Sequence, residues 1–240
     1  MSAEPAGGRV EELRAGLARV RRRVAEACDA AGRASDEVTL VVVTKLFPAS
    51  DVRSLAYLGV TDVGESRDQE ASAKAAECAD LPLRWHFVGR LQRNKAASVA
   101  RYASWVHSVD RPRLVTALSR GAVQAGRELE VLVQVNLDTD PQEAARRGGT
   151  APDDVLGLAE QVAGAEGLHL RGVMGVAPRE GPPRQAFDRL VALAERLRAE
   201  HPGACAVSAG MSSDLEDAVA AGATHLRVGS AVLGSRRHVQ

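Results

Sequence analysis

The sequence predicts a parallel (β/α)8 barrel, a TIM barrel, preceded by one extra N-terminal helix. Three observations predict it. Eight short apolar runs recur along the 240 residues, and helical periodicity fills most of the gaps between them. The turn after the first run lacks the GxGxxG pattern that an open dinucleotide-binding sheet would carry. Eight alternating strands are also the number that closes a barrel. No linker-like stretch divides the chain, so residues 1–240 are expected to form one domain with a flexible tail over residues 1–8.

The extra helix comes first. Val10, Leu13, Leu17, Val20, Val24 and Cys28 recur at helical spacing. Arg19, Arg21, Arg22 and Arg23 crowd the same segment, but Glu11, Glu12, Glu26 and Asp29 dilute them, so the polar side reads as a solvated face. The strands are expected at Leu40–Thr44, Thr61–Gly64, Trp85–Val88, Trp105–Ser108, Leu129–Val135, Leu168–Gly175, Cys205–Ser208 and His225–Val228. Helical stripes follow the first (Val52, Leu55, Tyr57), the fourth (Leu114, Val115, Leu118, Val123), the fifth (Val155, Leu158, Ala159, Val162) and the sixth (Phe187, Leu190, Leu193, Leu197). Ser66 with Gln69 and Ser213 with Glu216 read as capping boxes, and Pro112 and Pro152 suit first-turn positions. Gly121, Gly126, Gly203 and Gly222 mark expected helix ends. Asp138–Ala151 and Ala177–Pro183 read as elongated loops on the rim where barrel sites form.

Bulk composition removes several function classes. Basic and acidic residues balance at 31 each, which argues against general affinity for nucleic acid or an anionic membrane. Aromatics at 3% leave little for base stacking. Cys28, Cys78 and Cys205 lack metal-ligand spacing and read as buried free thiols suited to a reducing cytosol, so no metal site is expected. Neither a signal peptide nor a membrane-spanning run is apparent, and a cytoplasmic location is expected.

Lys45 ends the β-branched run Val41-Val42-Val43-Thr44. At a strand mouth walled by apolar neighbours, an ammonium would lose solvation and become able to hold an aldehyde as a Schiff base. Alone, the segment favours the simpler reading of a rim lysine after an ordinary strand. A barrel changes its weight, because Glu65, His86, Ser108, Asn136, Met174, Ser208 and Arg227 would share the same mouth. The stretches Ser208-Ala209-Gly210-Met211-Ser212-Ser213-Asp214 and Arg227-Val228-Gly229-Ser230-Ala231 form neighbouring glycine- and serine-bearing turns, a recurrent phosphate site in barrels. An aldehyde-capturing lysine beside a phosphate cradle points to pyridoxal phosphate, or to a phosphorylated sugar in a Schiff-base aldolase.

Several motifs sharpen the choice. Val43-Thr44-Lys45, Gly64-Glu65-Ser66-Arg67-Asp68-Gln69-Glu70, the run from Trp85 to Lys95, His107-Ser108-Val109-Asp110, Gln134-Val135-Asn136, Gly172-Val173-Met174-Gly175, Gly210-Met211-Ser212-Ser213-Asp214 and Arg227-Val228-Gly229-Ser230 follow in one order. In these the chain resembles the YggS/PROSC family of pyridoxal-phosphate-binding proteins, related to the barrel domain of bacterial alanine racemase. The resemblance implies a barrel of the alanine-racemase N-terminal type with pyridoxal 5'-phosphate as cofactor. It implies Lys45 as the Schiff-base lysine. Ser208, Gly229 and Ser230 would bind the phosphate, with Gly210 and Met211 shaping that wall. Arg227 would face the pyridine nitrogen, and Asn136 and Met174 would line the pocket. His86 and Asn94 belong to the signature without an assigned role, and His86 reads equally as a core residue.

Arg227 sets the expected chemistry. A guanidinium only donates, so a ring nitrogen facing it must accept and stay unprotonated, which makes the ring a poorer electron sink. Racemisation further needs an acid and a base on opposite faces of the substrate carbon. Tyr57 and Tyr102 fall in helical segments away from the strand ends. The expected function is therefore cytoplasmic cofactor homeostasis or carriage with little turnover. Pyridoxal phosphate, amino acids and cofactor-requiring apoenzymes are the expected partners, and the protein is expected to be a monomer. A weak or specialised amino-acid racemase is the alternative.

Overall fold

The structure, a computed structural model, describes residues 7–138 and 140–234. Eight parallel strands close a barrel in chain order: β1 (Thr39–Val43), β2 (Asp62–Glu65), β3 (Arg84–Phe87), β4 (Trp105–Val109), β5 (Leu129–Val135), β6 (Leu168–Gly175), β7 (Ala206–Ser208) and β8 (His225–Val228). Closure comes from β8 pairing back onto β1, with Val41 opposite Arg227 and Val42 opposite Val228. Around it run α1 (Gly7–Ala30), α2 (Ala49–Tyr57), α3 (Asp68–Glu77), α4 (Ala96–Tyr102), α5 (Pro112–Ala125), α6 (Pro141–Arg147), α7 (Val155–Ala163), α8 (Pro183–Glu200), α9 (Leu215–Ala221) and the short α10 (Ser230–Leu233). This is the TIM barrel with the extra leading helix. That helix starts at Gly7, inside the stretch expected to be a tail, and residues 1–6 lie outside the described residues.

Strand alternation divides the packing into two shells. Val42, Val63, Val106, Val131, Val133, Val173 and Val228 belong to the large core shared with the helices. Each fully buried side chain of this size contributes about 1.5–3 kcal/mol. A separate small cluster of Leu132, Met174 and Ala206, flanked by Trp105 and Val176, fills part of the barrel interior. The stripe Val10–Cys28 of α1 is buried and packs the helix onto α2, α9 and α10. A Cβ at Gly16 would lie 2.2 Å from the Val232 carbonyl oxygen, so the missing side chain lets α1 brace the turn after β8.

Some local expectations fail for identifiable reasons. Neither Ser66 nor Ser213 caps a helix: the N-caps of α3 and α9 are Arg67 and Asp214. Ser66 instead gives its backbone to a tight crossing, where a Cβ at Gly89 would sit 2.2 Å from its carbonyl oxygen. Gly121 lies inside α5, where a Cβ would come 2.9 Å from Ala97 Cα, so it serves helix packing and not termination. Gly126 and Gly222 do end helices in the left-handed conformation. The Asp138–Ala151 stretch holds α6, because Asp140 accepts the Gln142 N–H at 2.7 Å and Pro141 takes the first turn. Cys28 and Cys78 are buried, but Cys205 is exposed ahead of β7, which starts one residue later than expected.

Candidate functional site

Lys45 follows β1 and is held from both sides. Thr44 points into the helix layer, where the buried Lys74 of α3 donates to its carbonyl at 2.8 Å, to Glu65 Oε1 at 2.7 Å and to Glu70 Oε1 at 2.6 Å. Thr44 Oγ1 adds a hydrogen bond to Glu65 Oε1 at 2.7 Å. On the far side of Lys45, the Leu46 N–H donates to Glu70 Oε1. Leu46 itself has φ of 68°, a left-handed conformation rare for a side chain of its size. The residues flanking Lys45 are thus tied to one buried ammonium while Lys45 itself stays exposed. The apolar enclosure expected for Lys45 is not present, since its segment leaves the barrel at the strand end.

Because β8 pairs with β1, the turn after Val228 lies beside the Lys45 segment, and a Cβ at Gly229 would sit 3.0 Å from the Val43 carbonyl. Arg227, only 6% exposed, donates to Ser208 Oγ at 2.6 Å and to the Gly175 carbonyl at 2.8 Å. No carboxylate among the described residues forms an ion pair with it. Burial lowers its pKa to about 10, so it remains a cation. A buried cation without a carboxylate is costly, and a ligand with acceptor atoms would offset that cost.

Above Arg227, α10 opens with its first amides lacking helical acceptors. Ser212 Oγ accepts the Ala231 N–H at 3.3 Å and meets Ser230 Oγ at 3.2 Å. Gly210 (φ 84°) turns the chain where a Cβ would strike Ala218 and Leu226, and its carbonyl accepts the Arg227 N–H at 3.0 Å. Met211 is exposed, with its N–H donating to Asp214 Oδ1 at 2.6 Å. Asn136 closes β5, where its backbone N–H donates to the Thr150 carbonyl and its Oδ1 accepts the Asp138 N–H. Met174 is buried inside the barrel.

Two residues expected on the rim lie deeper. His86 is buried within the barrel, hydrogen-bonded to Asp62 at 2.8 Å and to His107 at 2.9 Å, and stacked on Trp105. Ser208 is fully buried, and its hydroxyl meets His107 Nδ1 at 2.9 Å as well as Arg227. Glu65 faces α3, not the mouth, because strand alternation turns it outward. Ser108 is buried with its Oγ unpartnered. Tyr57 and Tyr102 are the last residues of α2 and α4; Tyr57 is exposed, and the partly buried Tyr102 side chain lies in the helix layer close to Asp68 and Glu65.

The site therefore gathers Lys45, Arg227, Gly229 and Ser230 at adjoining strand ends. Sequence reasoning placed Ser212 in the phosphate-type turn without singling out its hydroxyl, which reaches α10, and missed the Lys74 clamp, whose trace was the i,i+4 pair Glu70/Lys74.

Residues 16–237 match the family model described as alanine racemase, N-terminal domain. The chain belongs to this family. Within it, the chain is similar to the pyridoxal phosphate homeostasis protein of Mycobacterium tuberculosis, at 50% identity over 95% of both chains. The protein of that name from Pseudomonas aeruginosa is 40% identical over 92% of this chain and 94% of its own. Among solved structures, PipY of Synechococcus elongatus with PLP bound shares 35% identity, with a TM-score of 0.76 over 88% of this chain and 100% of its own. A Clostridium difficile alanine racemase shares the fold, at 12% identity and a TM-score of 0.72 over 95% of this chain and 58% of its own.

Proposed function

We propose that this chain binds pyridoxal 5'-phosphate on Lys45 and serves in its homeostasis or carriage, with little or no turnover. The observation that carries this is Arg227: a buried guanidinium with no carboxylate ion pair among the described residues, on the strand paired with the one that leads to the exposed Lys45. The names of the relatives in this family, and the PLP in the PipY structure, support the same cofactor.

The residues fit the group. When bound, the cofactor supplies an aldehyde that condenses with an amine, releasing water, and an electron-withdrawing ring. Lys45 provides the amine on a segment fixed by Lys74 and Glu70. Arg227 has donors left over after Ser208 and Gly175, and those would be available to an acceptor such as a ring nitrogen. The hydroxyls of Ser212 and Ser230 and the first amides of α10, at Gly229 and Ser230, would hold the phosphate. Ser208 would act through Arg227 and not on the phosphate, because its hydroxyl is already engaged. Gly210, Met211, Met174 and Asn136 would shape the surrounding wall. Low turnover would follow from Arg227, which would keep a ring nitrogen unprotonated, and from tyrosines that belong to the helix layer, Tyr57 exposed and Tyr102 partly buried there.

Titrating the purified protein with pyridoxal phosphate tests this reading. Wild type is expected to develop a yellow absorbance band and Lys45→Ala to lose it. Unfolding of the variant should stay within about 0.5 kcal/mol of wild type, as for an exposed side chain. A variant that keeps the band, or rapid scrambling of single-enantiomer amino acids by wild type, would contradict it.

A further inference from the structure

The barrel interior holds a feature that the proposed cofactor site leaves unused. An unbroken run of buried polar groups crosses it: Asp62 Oδ1 to His86 Nε2 at 2.8 Å, His86 Nδ1 to His107 Nε2 at 2.9 Å, His107 Nδ1 to Ser208 Oγ at 2.9 Å, and Ser208 Oγ to Arg227 Nη1 at 2.6 Å. All five residues are 6% exposed or less. Barrels normally fill this space with branched apolar side chains, so a polar route through it calls for a role.

Its polarity can be assigned from one end. Asp62 also pairs with Arg84 at 2.6 Å and accepts from Thr61. Burial pushes its carboxyl up, but the hydrogen bonds from His86, Arg84 and Thr61 outweigh that and hold it well below the usual range. An ionised carboxylate only accepts, so His86 must donate from Nε2. Burial keeps both imidazoles neutral, and a neutral ring that donates from one nitrogen accepts at the other. His86 Nδ1 therefore accepts from His107 Nε2, and His107 Nδ1 accepts from the Ser208 hydroxyl. The Ser208 lone pairs are left facing Arg227. Every donor in the run points the same way, from Arg227 toward Asp62.

We propose that Asp62, His86, His107 and Ser208 form a one-way hydrogen-bond chain that positions Arg227 as the donor facing the cofactor ring nitrogen. The inference rests on the cofactor reading above. His86 and His107 are then positioning residues, and they give the Trp85–Lys95 and His107-Ser108 motifs a physical task. Ser208 is the link that presents an acceptor to the guanidinium. The chain extends from Asp62, at the start of β2, to Arg227, so the barrel floor is coupled to the orientation of a group at its mouth.

His107→Leu and His107→Gln separate this role from simple packing. Both remove the imidazole. Glutamine keeps one acceptor for Ser208 and one donor for His86, whereas leucine keeps neither. The dissociation constant for pyridoxal phosphate and the absorbance maximum of the loaded protein are measured, with borohydride trapping on Lys45 as the control. His107→Leu is expected to weaken binding about tenfold and move the maximum, with His107→Gln restoring both to near wild type. Ser208→Ala, which removes a single oxygen, should reproduce the leucine spectrum and covers the case in which His107→Leu fails to fold. If trapping on Lys45 succeeds but Ser208→Ala and both His107 variants keep the wild-type maximum and affinity, the chain does not position Arg227. Equal losses in the leucine and glutamine variants would reduce His107 to packing. If wild type traps no cofactor on Lys45, the cofactor reading itself fails and this inference with it.

Discussion

Lys74→Met is expected to destabilise the protein by about 3–5 kcal/mol at neutral pH, the range for breaking a buried ion pair from one side. Lys74 is 7% exposed and Glu65 1%, and the lysine uses all three of its donors on Thr44, Glu65 and Glu70. Burial already raises the Glu65 carboxyl above its ordinary range, outweighing the help from Lys74 and Thr44. Without the cation, Glu65 must take up a proton or stay charged and alone. The deficit should therefore shrink as pH falls and Glu65 protonates. Adding Glu65→Gln to Lys74→Met should recover part of the loss, since no buried charge is then left unpaired. Urea unfolding at pH 8 and pH 5 measures both effects, and a loss below about 1 kcal/mol at pH 8 would show the clamp to be unimportant. Cofactor affinity should drop in the single variant as well, because the Thr44 carbonyl and, through Glu70, the Leu46 amide are released on either side of Lys45.

Acidification is expected to weaken the fold steeply below neutrality. Burial lowers His86, His107 and His225 from the ordinary 6.5, with His225 brought to about 4. These rings are neutral when folded and bind protons near the ordinary value when unfolded. Between about pH 6.5 and 4 the unfolded chain thus carries more protons, and stability rises with pH across that window. Each histidine contributes a slope of about 1.4 kcal/mol per pH unit. Glu65 opposes them with a raised carboxyl, which favours the folded state as pH falls, so the net slope lies below the three protons of the histidines. Asp62 adds its own loss only under more acidic conditions, because its carboxyl is held low. Chemical denaturation at pH 7, 6 and 5 should give that slope, and His107→Gln should flatten it by about one proton. Equal stability at pH 7 and pH 5 would mean that these rings are not buried and neutral.

The strand pattern was legible because the barrel strands are covered on their outer face by helices and most carry β-branched residues there, as at Val42, Val131 and Val133. Helix starts were less so. A Ser-x-x-Gln or Ser-x-x-Glu spacing cannot distinguish a cap from a turn residue whose backbone packs elsewhere, as Ser66 does against Gly89. The short α6 was hidden because Asp-Pro serves a loop and a helix entry equally well. Lys45 and Arg227 could be placed from the register of a closed barrel. Their supports could not: Lys74 reaches Thr44 from thirty positions along the chain, and His107 reaches Ser208 from a hundred and one. The inward placement of Ser208 was not legible from its glycine- and serine-bearing neighbours, because strand alternation sends its side chain to His107 and Arg227.

Borohydride reduction of the pyridoxal-phosphate-loaded protein, followed by peptide mapping, tests the central claim most directly. The account predicts a single pyridoxyl adduct on the peptide containing Lys45, in full-length protein with Lys74 unmodified. An adduct on another lysine with Lys45 free, or no adduct at all, would contradict it.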